Sequence, residues 1–297
     1  MTKISNEQLL KLHYILPLPW QKVQKLMTIL EDFDEFLHIS PKTVALYLNI
    51  KEEKATQLIH HYKELLPRSM ARYYELQNIQ AITYLNPHYP TRLKHLYDAP
   101  AVLYTKGNLQ LLNRPKMIAV IGSRAASNYS EQSLKSLLPP LIQEQFVIVS
   151  GLAKGADRLA HEATIRYGGK TIGVLGHGFF HSYPRENSEL STYMALHHLL
   201  VTEYPPYVGV QKWHFPARNR IISGLSEALV VTEAALKSGT LITTELALEQ
   251  GKDVFAVPGN IFSEQSRGTN KLIKEGAIPV WDGYQIIQEL QLFSNSR

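Results

Sequence analysis

A chain of 297 residues, 44% apolar and 19% charged, can bury a sizeable core and is too apolar to be disordered. The absence of cysteine excludes a disulfide framework, a thiolate nucleophile and a cysteine-ligated metal. A net charge of +5 suits a polyanionic partner, no apolar run approaches the ~18 residues of a membrane span, and the N-terminus lacks the features of a signal peptide, so the expected compartment is the cytoplasm.

Residues 1–75 read as a small all-helical domain. NEQLLKLHYI and WQKVQKLMTILEDF carry apolar residues at helical spacing. Ser40-Pro41 is an N-cap followed by a first-turn proline, opening PKTVALYL. KEEKATQLIHHYKELL ends before Pro67. Such a bundle binds proteins or nucleic acids, or only packs, and its sequence does not choose.

Residues 76–297 have a different rhythm. IQAITYL (79–85) and AVLYTKG (101–107) are strand-like and read as an extension feeding the sheet that follows. From Met117 the apolar runs MIAVIG, FVIVSG, TIGVLG, LLVTEY, ALVVTEA, DVFAVPG and AIPVW alternate with helix-length segments. That pattern predicts an α/β domain with a doubly wound, mostly parallel sheet.

Four strands run into glycine-containing turns, at Gly122-Ser123-Arg124, Ser150–Asp157, Gly176-His177-Gly178 and Lys237-Ser238-Gly239-Thr240. Ligands of open α/β sheets bind at the carboxyl ends of strands, and glycine turns leading into helices suit phosphate. No turn is a GxGxxG fingerprint or a Walker A loop, so no nicotinamide or nucleotide cofactor is expected. Between Tyr204 and Ser226 the chain carries Lys212, Arg218 and Arg220 with Trp213 and Phe215, and no acid. Cations that bind phosphate beside rings that stack on bases are what a single-strand groove needs. This stretch reads as a loop entering a short helix at a sheet edge.

Other polar residues admit a catalytic reading. Asp157 and His161 share one helix face as an acid/base pair, as two metal ligands, or as a cap and a packed histidine. Two ligands are too few for a metal site, so none is expected. Glu233 is either the carboxylate of a nucleotide- or nucleoside-processing enzyme or a loop anchor. Three functions therefore stand side by side: a single-strand binder, such an enzyme, and an interaction scaffold whose glycine turns are structural.

Six stretches in order carry a resemblance: IGSRAASNYS (121–130), SGLAKGADRLAHEATI (150–165), TIGVLGHGFFHSYPRENSEL (171–190), FPARNRIISGLS (215–226), VVTEAALKSGTLIT (230–243) and DVFAVPGNIFSEQSRGTNKLIKEGA (253–277). Over residues 76–285 the chain resembles the DprA/Smf family, DNA-processing proteins of natural transformation. The resemblance implies an extended Rossmann-like fold without an established enzymatic activity. It implies single-stranded DNA binding, a homodimer, loading of the RecA recombinase, protection of incoming DNA, and displacement of single-strand-binding protein. The N-terminal part is compatible with the family's SAM-like or helix-hairpin-helix-like domain. The family's phosphate-gripping motif falls on Gly122, Ser123 and Arg124, and its basic-aromatic segment on Lys212, Phe215, Arg218, Asn219 and Arg220. Arg185, in YPREN, falls on a further basic contact. A dimer surface is expected across residues 260–290, with Ile261, Phe262, Leu272, Ile273 and Ile278. Two departures stand out: Phe180 occupies the place of a usual acid, and the chain stops too early for the C-terminal winged helix that some members carry.

Overall fold

A computed structural model describes residues 4–295; the outermost residues of the two predicted domains, 1–3 and 296–297, lie outside them. The chain forms two compact units, Met1–Lys106 with 177–181 and 202–209, and Gly107–Gly176 with 182–201 and 210–297.

The first unit opens with α1 (Asn6–Ile15), whose Ser5 and Gln8 form a reciprocal capping box. It continues through α2 (Trp20–Met27), α3 (Pro41–Leu48), α4 (Glu52–Leu65) and α5 (Met70–Leu76). The helix expected from Trp20 onward stops at Met27, and a 3-10 turn at Phe33–Leu37 places Phe33 and Phe36 against Tyr62. The Glu7 carboxylate accepts from the backbone N–H of Met70 (2.5 Å) and Ala71 (3.3 Å), capping α5 from a distant helix.

Strand β1 (Gln80–Thr83), the single-turn α6 (Thr91–Lys94) and β2 (Val102–Gly107) complete this unit, with β1 and β2 antiparallel. Ile79, Ala101, Val102 and Tyr104 belong to the core of the helical bundle. The Tyr104 hydroxyl meets His13 Nδ1 at 3.0 Å and the Tyr74 hydroxyl at 3.3 Å. The compact units accordingly part at 106/107, whereas the helical pattern alone places the change at 75/76.

The second unit runs β3 (Met117–Ile121), α7 (Asn128–Gln143), β4 (Val147–Ser150), α8 (Ala156–Arg166), β5 (Lys170–Leu175), α9 (Ser188–His197), β6 (Leu199–Thr202), α10 (His214–Leu225), β7 (Ala228–Val231), α11 (Gly239–Glu249), β8 (Asp253–Ala256), α12 (Glu264–Lys274), β9 (Ile278–Pro279) and α13 (Gly283–Asn295). Its strands lie in the order β6-β5-β4-β3-β7-β8-β9. The pairs β5–β4, β4–β3, β3–β7, β7–β8 and β8–β9 are parallel. Every residue of β3, β4 and β7 is buried, which is why these strands read as unbroken apolar runs.

Ile118 and Val120 enter a core layer with Leu134, Leu138 and Ile286 of α7 and α13. Their neighbours Ala119 and Ile121 face the other way by strand periodicity. This is the open Rossmann-like α/β fold expected of the sequence. From β3 the chain winds outward through β4, β5 and β6, then returns to lay β7, β8 and β9 on β3's other side. The order reverses between β3 and β7, so the loops after these two strands diverge and leave a crevice at their carboxyl ends.

Candidate nucleic-acid interface

The crevice is a cleft of about 640 Å³ whose walls include Gly122–Ala125, Lys212, Phe215, Asn219 and Lys237–Thr240. One wall is the turn after β3. A Cβ on Gly122 would lie 2.6 Å from Ala156 Cβ and Thr232 Oγ1, so only glycine allows the turn to pass. The Ser123 carbonyl accepts from Ala156 N–H (3.0 Å), and the Ser123 hydroxyl from Ala125 N–H (3.1 Å). These bonds present Arg124 as an exposed side chain, with its guanidinium 5.5 Å above the Phe215 ring.

Glu233 fixes the same turn from beneath. Its carboxylate, 1% exposed, accepts from Ser127 N–H (2.7 Å), Ser127 Oγ–H (2.8 Å) and Ser130 Oγ–H (2.9 Å). It is the loop anchor of the two readings that the sequence offers. The Thr240 hydroxyl donates to the Gly122 carbonyl (3.0 Å), tying the start of α11 to the β3 turn. The N-terminal end of α11 therefore faces the cleft, its first-turn N–H groups beside exposed Lys237.

The third wall departs from expectation. Residues 214–225 form the twelve-residue helix α10, not a loop with a short helix. His214, Arg218, Ile221, Ile222 and Leu225 are buried at helical spacing. That face carries Arg218 inward, where it is 3% exposed. Its Nη1 donates to the carbonyls of Gly151 (2.5 Å) and Val174, at the ends of β4 and β5, and its Nε donates to Asn219 Oδ1 (3.1 Å). A Cβ on Gly151 would strike the guanidinium at 2.4 Å. Arg218 thus lines the cleft from below, its guanidinium turned toward these carbonyls. Arg220 is also buried; its Nη1 donates to the Ala217 carbonyl (2.8 Å), and it does not line the cleft.

Lys212 and Trp213 remain at the surface, the latter 65% exposed with its ring 4.0 Å from that of His214. Phe215 meets Tyr183 at 5.3 Å between centroids. Arg185 is exposed on a 3-10 turn and does not line the cleft. The structure therefore brings Gly122, Ser123, Arg124, Lys212, Phe215, Arg218 and Asn219 together, and leaves Arg185 and Arg220 apart. Two lining residues are not singled out by the sequence: Tyr183, beside the YPREN motif, and Lys237, in a glycine turn marked only as suited to phosphate.

Asp157 is the one carboxylate in the lining. Burial pushes its carboxyl up, while the Arg218 guanidinium and the Ala153 N–H, among other donors, draw it back. Its neighbour His161 is buried, and burial lowers it to about 3, so it is neutral at pH 7. Thr171 gives its proton to the Ile148 carbonyl (2.7 Å), so His161 Nδ1–H is the donor across the 2.6 Å to Thr171 Oγ1. Among the described residues no group of three or more His, Asp or Glu side chains could hold a metal ion. The cleft surface is thus cationic and aromatic, with its single acid sunk against a cation. No helix among the described residues is long and apolar enough to cross a membrane.

Fold and cleft together define an open α/β protein with a cationic crevice at its topological switch point. The sequence profile of the family described as DNA recombination-mediator protein A matches residues 80–291, and the chain belongs to that family. It is 46% identical over 241 residues to the DNA processing protein DprA of Bacillus subtilis, covering 81% of each chain. It is also similar to the solved structure of DprA from Streptococcus pneumoniae, at 39% identity and a TM-score of 0.82, over 96% of this chain and 98% of that one. A structure of DNA processing protein A from Helicobacter pylori, described for its single-stranded DNA binding mode, matches at 30% identity and a TM-score of 0.65. That match spans 72% of this chain and 95% of the other.

Proposed function

We propose that this chain is a single-stranded DNA-binding recombination mediator that protects incoming DNA and loads RecA during natural transformation, working in the cytoplasm as a homodimer and without turnover. The observation that carries the reading is the cleft's composition: Arg124, Lys212 and Lys237 around an open bowl, with Phe215 on its wall. Arg124, Lys212, Lys237 and the first N–H groups of α11 hold phosphates, while Phe215 and Tyr183, with Trp213 outside, offer rings to unpaired bases. Duplex bases already stack on one another and cannot use such rings, so single strands are preferred. Every base has a π face, so sequence preference is slight.

The part from residue 76 onward carries this grip and the helical part supports it. For the homodimer, Ile261 and Phe262 offer apolar surface, Phe262 at 87% exposure. Leu272 is buried and Ile278 is half-buried against the core beside β8, so Ile261 and Phe262 carry the dimer surface in this reading. RecA and single-strand-binding protein are the protein partners of this reading.

The test is fluorescence anisotropy with a labelled poly-dT oligonucleotide and a duplex of equal length across a salt series. Tight, salt-sensitive binding selective for the single strand is expected. Equal affinity for duplex, or no binding at low salt, would reject the reading.

A further inference from the structure

A second basic and aromatic surface lies on the first unit, among residues that the cleft does not use. Trp20, the first residue of α2, stacks on Tyr84 with ring centroids 4.5 Å apart and planes within 10°. Tyr84 in turn meets Tyr89 at 5.2 Å. The ammonium of Lys94, on α6, sits 5.2 Å from the Tyr84 centroid and 6.0 Å from that of Tyr89. Lys94 is exposed and makes no ion pair among the described residues. The turn after α6 passes Tyr97 and, two residues on, brings the Ala99 carbonyl to Trp20 N–H at 2.7 Å. Tyr97 is 82% exposed, the most uncovered tyrosine among the described residues. From Asn78 to Gly107 the chain has Arg92, Lys94 and Lys106 against a single acid, Asp98, which is half-buried.

We propose that this surface is a second single-strand contact. A phosphate pairs with Lys94 and an unpaired base stacks on Tyr97, while the Trp20–Tyr84 pair gives the ammonium a rigid bed. An ammonium above rings is partly freed of water on the ring side, which suits it to an incoming phosphate. An acidic peptide would use the ammonium and leave the Tyr97 ring uncovered; a single strand uses both. This contact rests on the single-strand reading above and adds a site to it that is independent of the cleft.

The experiment uses the full chain, a labelled thirty-nucleotide dT strand, and the variants K94A/Y97A, Y97F and Arg124→Ala. Both exposed positions can be truncated without opening the core, and circular dichroism checks that they are. The double variant is expected to lose at least about fivefold in affinity, the lower end for one stacked base, and to flatten the salt dependence. Y97F, which keeps the ring, is expected to bind as the parent does. In the unmodified chain, strands carrying 5-iodouracil should crosslink on irradiation to Tyr97, located by mass spectrometry.

An unchanged double variant with no adduct on Tyr97, Tyr84 or Trp20 overturns this contact. If Arg124→Ala then still weakens binding, the cleft reading stands alone. The reverse pattern, loss in the double variant and none in Arg124→Ala, keeps this contact and removes the cleft. Unchanged strand affinity joined to lost binding of poly-glutamate would assign the surface to an acidic protein and overturn the proposal, and a parent that binds no strand removes both sites.

Discussion

Two arginines of the second unit show how differently the same side chain can serve one cleft. Arg124 stands on a glycine turn after β3, exposed above the Phe215 ring. Arg218 stands on α10 and is buried, its guanidinium bonded to the Gly151 and Val174 carbonyls at the ends of β4 and β5. Both lie in basic motifs of the sequence. One can meet a ligand; the other sets the shape of the floor that a ligand would meet. The difference is made by local geometry: a tight turn projects a side chain, whereas a helix with one apolar face swallows whatever falls on that face.

The comparison breaks most visibly in stability. Arg218→Ala removes the cation that faces buried Asp157 and leaves two strand-end carbonyls without their donor, so a loss of about 3–5 kcal/mol is expected. Arg124→Ala should stay within about 0.5 kcal/mol of the parent, as exposed substitutions do. Urea midpoints measure both; an undisturbed Arg218→Ala would return that residue to the ligand side.

Acid sharpens the same contrast. Burial lowers His161 and His13 to about 3 in the folded chain, below their ordinary value near 6.5. Above that ordinary value neither state holds the proton. Below it the unfolded chain takes up protons that the folded chain refuses, so stability falls as pH drops from about 6.5 toward 3, by about 1.4 kcal/mol per unit for each histidine. A melting temperature that does not change between pH 7.5 and pH 5 would contradict that burial. A smaller effect is expected on the cleft wall, where Phe215→Ala should weaken poly-dT binding by about 1–3 kcal/mol without introducing a base preference.

Much of the fold and part of the cleft are legible in the residues alone. Unbroken apolar runs such as MIAVI and ALVV announce buried parallel strands, and glycine turns after them mark the ligand edge. Ser40-Pro41 opens α3 where its capping chemistry says it should. Glu233 as a loop anchor is one of two open readings, because its partners Ser127 and Ser130 lie far away in sequence. The inward turn of Arg218 is latent in the spacing of His214, Ile221, Ile222 and Leu225, a helical face hidden by the attraction of its charges. The affinity of β1 and β2 for the helical bundle is not legible. It depends on Tyr104 meeting Tyr74 and His13 within one core, which no local pattern encodes. Tyr183 and Lys237 escape notice as lining residues for a related reason: the cleft draws them from separate loops.

The most direct test of the cleft is the salt dependence of poly-dT binding in Arg124→Ala beside the parent. If Arg124 holds a phosphate, log affinity against log salt should lose about 0.7 from its slope, while the urea midpoint stays that of the parent. A slope equal to the parent's, with the fold intact, would contradict the role assigned to Arg124 and to the turn that presents it.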